Sequence, residues 1–400
     1  MPQPPTTYLD HAATTPLRPE AREAMLTWLG GDGGRFGNPS GSHRLARQAR
    51  RALDDARDAM AEAIGCGPGE VVFTSGGTEA DNTAVSGSVA AAAAERAGAL
   101  VPICSAIEHH AVLNPVRAAG GRTVEVDQLG LLDLRHLAAT LDQVHGEGVE
   151  VPVVSVMLAN NEIGVVQDLN SVAETVRRHA PEAALHTDAI QAFCWLDLAT
   201  AAAPADLVSV SAHKFGGPQG VGVLVVRGGT PLAPLLVGGG QERERRSGTQ
   251  NVAGIVGMAA AATVVAADRK AEVERVEALR DTLVGGLLAS IPGAVATADG
   301  AGSDRSHKVA GSAHMCFAGI ESEELLFLLD QQGLCATAGS SCASGALDPS
   351  PVLAALGVPA DVARGSLRLS LGWTTAGDDI DRALALIPAA VERLARSSSR

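Results

Sequence analysis

Over the first two-thirds of the chain, short apolar runs rich in β-branched residues alternate with longer stretches whose apolar residues recur every third or fourth position. The runs at 71–74, 100–104, 123–126, 151–158, 207–211 and 221–226 predict strands. Between them, 43–64 carries Leu45, Ala49, Ala52, Leu53, Ala56, Met60 and Ile64 at helical spacing, and 78–96 and 168–180 also predict helices. Such alternation predicts an α/β fold with a mostly parallel sheet covered by helices on both faces.

The pattern changes near Asp268. The nearly apolar stretch 252–267 predicts a buried helix and is short for a membrane span. Beyond it, 269–290 predicts a charged amphipathic helix. A polar, glycine-rich stretch at 299–306 precedes a short strand and a helix at 321–332 that Gly333 stops. An alternating strand at 366–371 and a last helix at 378–396, which Pro388 should kink, complete the chain. This half predicts a second, smaller α+β domain.

The length of 400 residues suits two or three domains. A net charge of −14 argues against a nucleic-acid partner. The six cysteines form no C-x-x-C pair, so neither a metal site nor a disulfide framework is expected. The first residues lack the basic start and apolar run of a signal peptide, and a cytoplasmic protein with no membrane association is expected.

Only three of the 31 basic side chains are lysine: Lys214, Lys270 and Lys308. Arginine replaces lysine where charge alone is wanted, but it cannot form a Schiff base. Lys270 lies in a charged run and Lys308 has no chemical context, whereas Lys214 ends an apolar run and precedes Phe215-Gly216-Gly217-Pro218. That placement suits a lysine holding an aldehyde cofactor. Codon bias explains the scarcity of lysine but not this position.

Other strings carry candidate chemistry, each beside a plainer reading. Ser75-Gly76-Gly77-Thr78-Glu79 joins a strand to a helix and forms either a phosphate cradle or a capping turn. Asp188 could hold a pyridine nitrogen protonated or cap a helix. His109 could stack on an aromatic cofactor or start a helix. Asn160 and Asn161 follow a strong strand and suit either ligand hydrogen bonds or a turn. Gly238-Gly239-Gly240 leads to Arg246-Ser247-Gly248-Thr249, a phosphate-approaching loop or a flexible linker. Cys342 sits among small polar residues, where a reactive thiol belongs. Cys66, Cys104, Cys194 and Cys316 read as buried apolar residues, and Cys335 as strand core. Arg368 lies on a largely apolar strand and should meet a carboxylate, unless that strand position is simply at the surface.

Together these residues resemble the cysteine desulfurases of the NifS/IscS-like group, within the class V aminotransferase family of fold-type I pyridoxal-phosphate enzymes. The likeness rests on Leu9-Asp10-His11-Ala12-Ala13-Thr14-Thr15, Asn161-Glu162-Ile163-Gly164, Ser211-Ala212-His213-Lys214, Arg246-Ser247-Gly248-Thr249 and Gly339-Ser340-Ser341-Cys342. It implies a large domain over 14–262 with a mostly parallel seven-stranded sheet. It also implies a small α+β domain, made of 1–13 and 263–400, that carries the cysteine loop. Pyridoxal 5'-phosphate is the implied cofactor. By the resemblance, Lys214 would bind its aldehyde, Asp188 its pyridine nitrogen and Gln191 its phenolic oxygen. His109 would stack on the ring, while Gly77, Thr78, Ser211 and His213 would hold the phosphate. Thr249 would reach the phosphate of the neighbouring subunit of a homodimer. Asn161 and Arg368 would bind the carboxylate of L-cysteine, and Cys342 would be the nucleophile that collects sulfur. The sulfur would pass to an acceptor protein, such as an iron–sulfur scaffold or a thiolation enzyme.

Three departures stand out: Ser341 where alanine is more common, Glu244 where glycine is common, and a turn at 36–43 that is one residue short. The alternatives are a selenocysteine lyase or aminotransferase on the same scaffold, or a non-catalytic subunit that keeps the fold.

Overall fold

Seven strands form the main sheet of the computed structural model, which describes residues 5–31, 33–95, 98–300, 304–339 and 350–398. In spatial order they are Val71–Thr74, Gly222–Val226, Leu207–Ser211, Ala184–Asp188, Val153–Ser155, Ile103–Ser105 and Arg122–Val124. Only Gly222–Val226 runs antiparallel to its neighbours. Helices Arg44–Ile64, Gly77–Glu95, His110–Ala118, Leu134–Gly146 and Leu169–His179 connect or cover these strands. His43 and Asp168 cap two of them through side-chain acceptors. The fold is therefore α/β with a mostly parallel sheet, as the alternating pattern predicts.

The strand Ala184–Asp188 has no apolar run to announce it. Its sequence is Ala-Leu-His-Thr-Asp, yet residues 185–188 are all buried. The polar side chain of His186 is met within the sheet. Its Nδ1 lies 2.7 Å from Ser155 Oγ and its Nε2 3.0 Å from Ser209 Oγ, one serine on each neighbouring strand. A row of paired polar groups thus replaces apolar packing, and hydropathy alone misses it.

The predicted buried helix and the charged helix after it are one element. Val252–Ser290 runs 39 residues without a break. By length and composition it could cross a membrane. Its first half, however, packs Ile255, Met258, Ala261, Ala262 and Val265 into the core beneath the main sheet. Its second half gives Val276, Leu283, Val284 and Leu287 to another core. That second core also contains the antiparallel sheet Ser366–Ser370, Ser312–Phe317, Ala294–Ala296 and the parallel pair Thr7–Tyr8 with Leu334–Cys335. The last helix, Gly377–Ser398, continues through Pro388.

The turn Gln241–Glu244 is strained. Glu242, Arg243 and Glu244 have φ of 48°, 57° and 66°, three consecutive non-glycine residues in the left-handed region. Glu244, the departure noted above, adopts the backbone that glycine prefers. Glu242 holds the turn in place. Its buried carboxylate accepts two hydrogen bonds of 2.9 Å from the Arg57 guanidinium, one of 3.0 Å from Phe73 N and one of 3.1 Å from Gln250 Nε2. Arg57→Met should therefore cost about 3–5 kcal/mol, because it strands a buried charge. Denaturant unfolding of the two proteins measures it, and a loss under about 1 kcal/mol would mean the pair is not buried in solution.

Candidate active site

Four strand ends converge on one cleft of about 840 Å³, counting its open mouth. Thr74 leads into Ser75-Gly76-Gly77, Ser105 toward His109, while Asp188 and Ser211 close their own strands. Carboxyl ends of parallel strands are where an α/β sheet gathers ligand groups. Gly77, Thr78, His109, Asn161, Asp188, Gln191, Ser211, His213, Lys214 and Arg368 all line this cleft. Six sequence strings separated by up to 291 positions are thereby brought together around Lys214.

Lys214 ends the tight turn Ala212–Lys214 that follows its strand. Its Nζ donates to Ala12 O at 2.5 Å and Ala13 O at 2.8 Å. Gln191 Nε2 also donates to Ala12 O, at 2.8 Å. The opening string of the chain thus contributes backbone carbonyls to the lysine, a role its side chains do not reveal.

Asp188 is buried, and its Oδ1 accepts from Ile190 N at 2.8 Å. Burial raises its pKa to about 6, against the pull of that hydrogen bond and of Lys214. His109 Nδ1 accepts from Ala111 N at 3.1 Å, so the residue caps a helix as well as lining the cleft. Burial, then the charges of Lys214 and His110, push its pKa down to about 4. The neutral ring therefore carries its proton on Nε2. His213, held at 3.2 Å from Thr14 Oγ1, is lowered to about 4 by burial and by Lys214.

The two asparagines divide their work. Asn160 is structural: its amide donates to Ile107 O and its Oδ1 accepts from Glu162 N and Ile163 N. Asn161 faces the cleft and offers its backbone oxygen to Arg368 Nη1 at 3.0 Å. Arg368 is buried on its strand and pairs with Asp10 Oδ1 at 2.8 Å, which meets the expectation of a carboxylate partner. Thr249 does not line this cleft and is exposed. Its loop is tied to the cleft through Arg246, which pairs with Glu79 at 2.8 Å, and Glu79 accepts from Ser75 N.

Cys342 lies outside the described residues. The flanking residues are described, and both meet Glu162. Ser350 Oγ donates to Glu162 Oε2 at 2.5 Å, and a Cβ on Gly339 would lie 3.0 Å from the same oxygen. Glu162 is the neighbour of Asn161, so Gly339 and Ser350 both lie against a residue adjoining the cleft. Among the described residues no cysteine lines it. Burial raises the thiol of Cys66 to about 11 and that of Cys194 to about 12, and pushes up Cys104, Cys316 and Cys335.

The cleft suits pyridoxal phosphate. At Gly77 a Cβ would fall 2.1 Å from Ile190 Cδ1, so the helix start packs closely against the turn after Asp188 and a side chain there would displace Ile190. That close approach sets free N–H groups beside Ser211, His213 and Lys214, a donor set for a phosphate. A buried carboxylate, a neutral imidazole and an amine complete what a pyridine aldehyde requires. Two acids that sequence reasoning passed over, Asp81 and Glu108, are buried in the same neighbourhood, and Asp81 lines the cleft.

Fold and cleft together define a fold-type I pyridoxal-phosphate enzyme. The chain belongs to the class-V aminotransferase family, which it matches over residues 7–383. It is 41% identical over 393 residues to an IscS-like cysteine desulfurase from Mycobacterium tuberculosis, across 98% of both chains. The solved structure of a NifS-like protein superimposes with a TM-score of 0.85 at 30% identity, covering 97% of this chain and 100% of that one. A structure described as SspA in complex with cysteine superimposes with a TM-score of 0.76 at 28% identity, covering 92% and 99%.

Proposed function

We propose that the protein is a cysteine desulfurase that takes sulfur from L-cysteine, releases L-alanine and holds the sulfur as a persulfide on Cys342. The observation that carries this reading is the Lys214 amine in a cleft with Asp188, His109 and Arg368. Bound pyridoxal phosphate supplies an aldehyde for amines and a ring that accepts the electrons of a breaking C–H bond. Lys214 would hold that aldehyde, and its amine would serve as the base that takes the α-proton of the substrate. Asp188, as the anion, keeps a proton on the pyridine nitrogen. Gln191 meets the phenolic oxygen, and His109 forms a neutral wall for the ring. Gly77, Thr78, Ser211 and His213 hold the phosphate.

Arg368 and Asn161 bind the substrate carboxylate. The Cys342 thiolate attacks the substrate sulfur; the S–S bond forms as the carbon–sulfur bond breaks, and its electron pair stays with the carbon skeleton, which a proton then completes. The persulfide passes to an acceptor protein, an iron–sulfur scaffold or a thiolation enzyme. Thr249 serves the cleft of the second subunit of a homodimer. Its exposure supports this, as do the exposed apolar residues Leu235, Leu236 and Val237 just before its loop. The free thiols of the described cysteines suit a reducing cytoplasm.

The test is the production of alanine and protein-bound persulfide from L-cysteine in equal amounts. A requirement for a keto acid would instead indicate an aminotransferase. The reading also fixes a pH dependence. The cofactor pairs with ionised Asp188, and that group protonates as pH falls through about 6 in the open cleft. Cofactor affinity should therefore fall below that pH, about tenfold for each further unit. Equilibrium dialysis of the cofactor measures it, and an affinity constant down to about pH 4.5 would contradict the pairing.

A further inference from the structure

Asp81 stands on Gly77–Glu95, one turn beyond the helix start, and lines the same cleft as Asp188. It is fully buried, neither of its oxygens meets a donor in ordinary hydrogen-bond geometry, and the one donor beside it is the Ser209 hydroxyl. Its Oδ1 lies 3.7 Å from His186 Nε2. That ring is already engaged by Ser155 and Ser209 and is held neutral, because burial lowers its pKa to about 3. Glu108 is the third buried acid of the group. Its Oε1 accepts from Met157 N at 2.5 Å and its Oε2 meets no donor.

A carboxylate anion removed from water with no donor and no cation is far more costly than the neutral acid. Three buried carboxyl groups that feel one another cannot all ionise. Asp188 has what the other two lack, a cation: besides the Ile190 N–H it feels the charge of Lys214. Asp81 faces Asp188, Glu108 and the Ser209 hydroxyl, and burial followed by the Asp188 charge holds it far above the usual carboxylate range. Glu108 is raised in the same way, by burial and then by Asp188.

We propose that Asp81 is a positioning residue that remains a neutral carboxylic acid, leaving Asp188 as the single anion that a protonated pyridine nitrogen meets. The inference rests on the reading of Asp188 given above. Its physical content is a division of charge. A second anion beside Asp188 would raise the proton affinity of Asp188 and give the cleft more negative charge than one pyridinium balances. Asp81 retains its proton inside the dry interior and avoids both effects.

The experiment uses the holoenzyme. Infrared difference spectra at about pH 8 report protonated carboxyl groups through their C=O band. Asp81→Asn should remove one such band and leave the pH midpoint of the visible cofactor absorbance within about 0.3 unit, because amide and neutral acid carry the same charge. Retention of every acid band, or a midpoint shift above about one unit, overturns the proposal. Should Asp81→Asn not fold, wild-type protein made with isotopically labelled aspartate must still show an acid band that the label moves; its absence is equally fatal. Asp188→Asn is the separate arm. It should move the visible absorbance, and its failure to do so would remove the reading of Asp188 while the infrared result for Asp81 still stood.

Discussion

Lys214→Ala should give a folded, colourless protein that has lost at least about 10,000-fold in kcat/KM, equivalent to about 5.4 kcal/mol of transition-state stabilisation. The loss is large because the proposed function gives one amine two tasks: it would hold the cofactor aldehyde, and it would accept the α-proton of the substrate. No other lysine can substitute: Lys308 is buried against Thr297 O and Asp299, and Lys270 is exposed on Val252–Ser290. The structural cost should be small, since the substitution removes hydrogen bonds to the backbone oxygens of Ala12 and Ala13, each of modest net worth. The measurements are the visible spectrum after reconstitution and alanine release from L-cysteine. A variant that kept a borohydride-sensitive absorbance would place the covalent cofactor link on another residue.

Cys342→Ser should separate the two halves of the chemistry. Cofactor binding and its absorbance should match wild type, because the residues proposed to hold the cofactor come from other segments. Persulfide formation should vanish. A serine hydroxyl is hardly ionised near neutral pH and cannot hold a transferable sulfur, so alanine release should fall at least about 1,000-fold. The five other cysteines offer no rescue, as each has a thiol pKa raised by burial. Sulfide release at the wild-type rate would refute the nucleophile assignment.

Most of the cleft is legible in the sequence because its side chains sit in short strings at strand ends. Ser75–Glu79, His109 and Lys214 each follow an apolar run, and the fold does no more than align those runs. Three things were hidden, each for a physical reason. The strand ending at Asp188 is stabilised by the Ser155–His186–Ser209 row, so it has no apolar signature. The carbonyls of Ala12 and Ala13 act through the backbone, which residue identity does not disclose. Asp81 lies in a helix of small residues, where one acid resembles a solvated position. The only signal available was its spacing, four residues after Gly77 and so on the same helical face.

The change of pattern near Asp268 falls inside a single helix. Asp268 and Lys270 are exposed on a helix that continues beneath them, so a charged run marked a surface and not a stop. The same 39-residue rod makes the two cores mutually dependent. A fragment cut near that charged run would strip either half of a wall it cannot rebuild from its own chain. Lys214 on one side and Arg368 on the other are consequently inherited as a unit, and cooperative unfolding of the whole chain, not of one half, is the event that dismantles the catalytic centre.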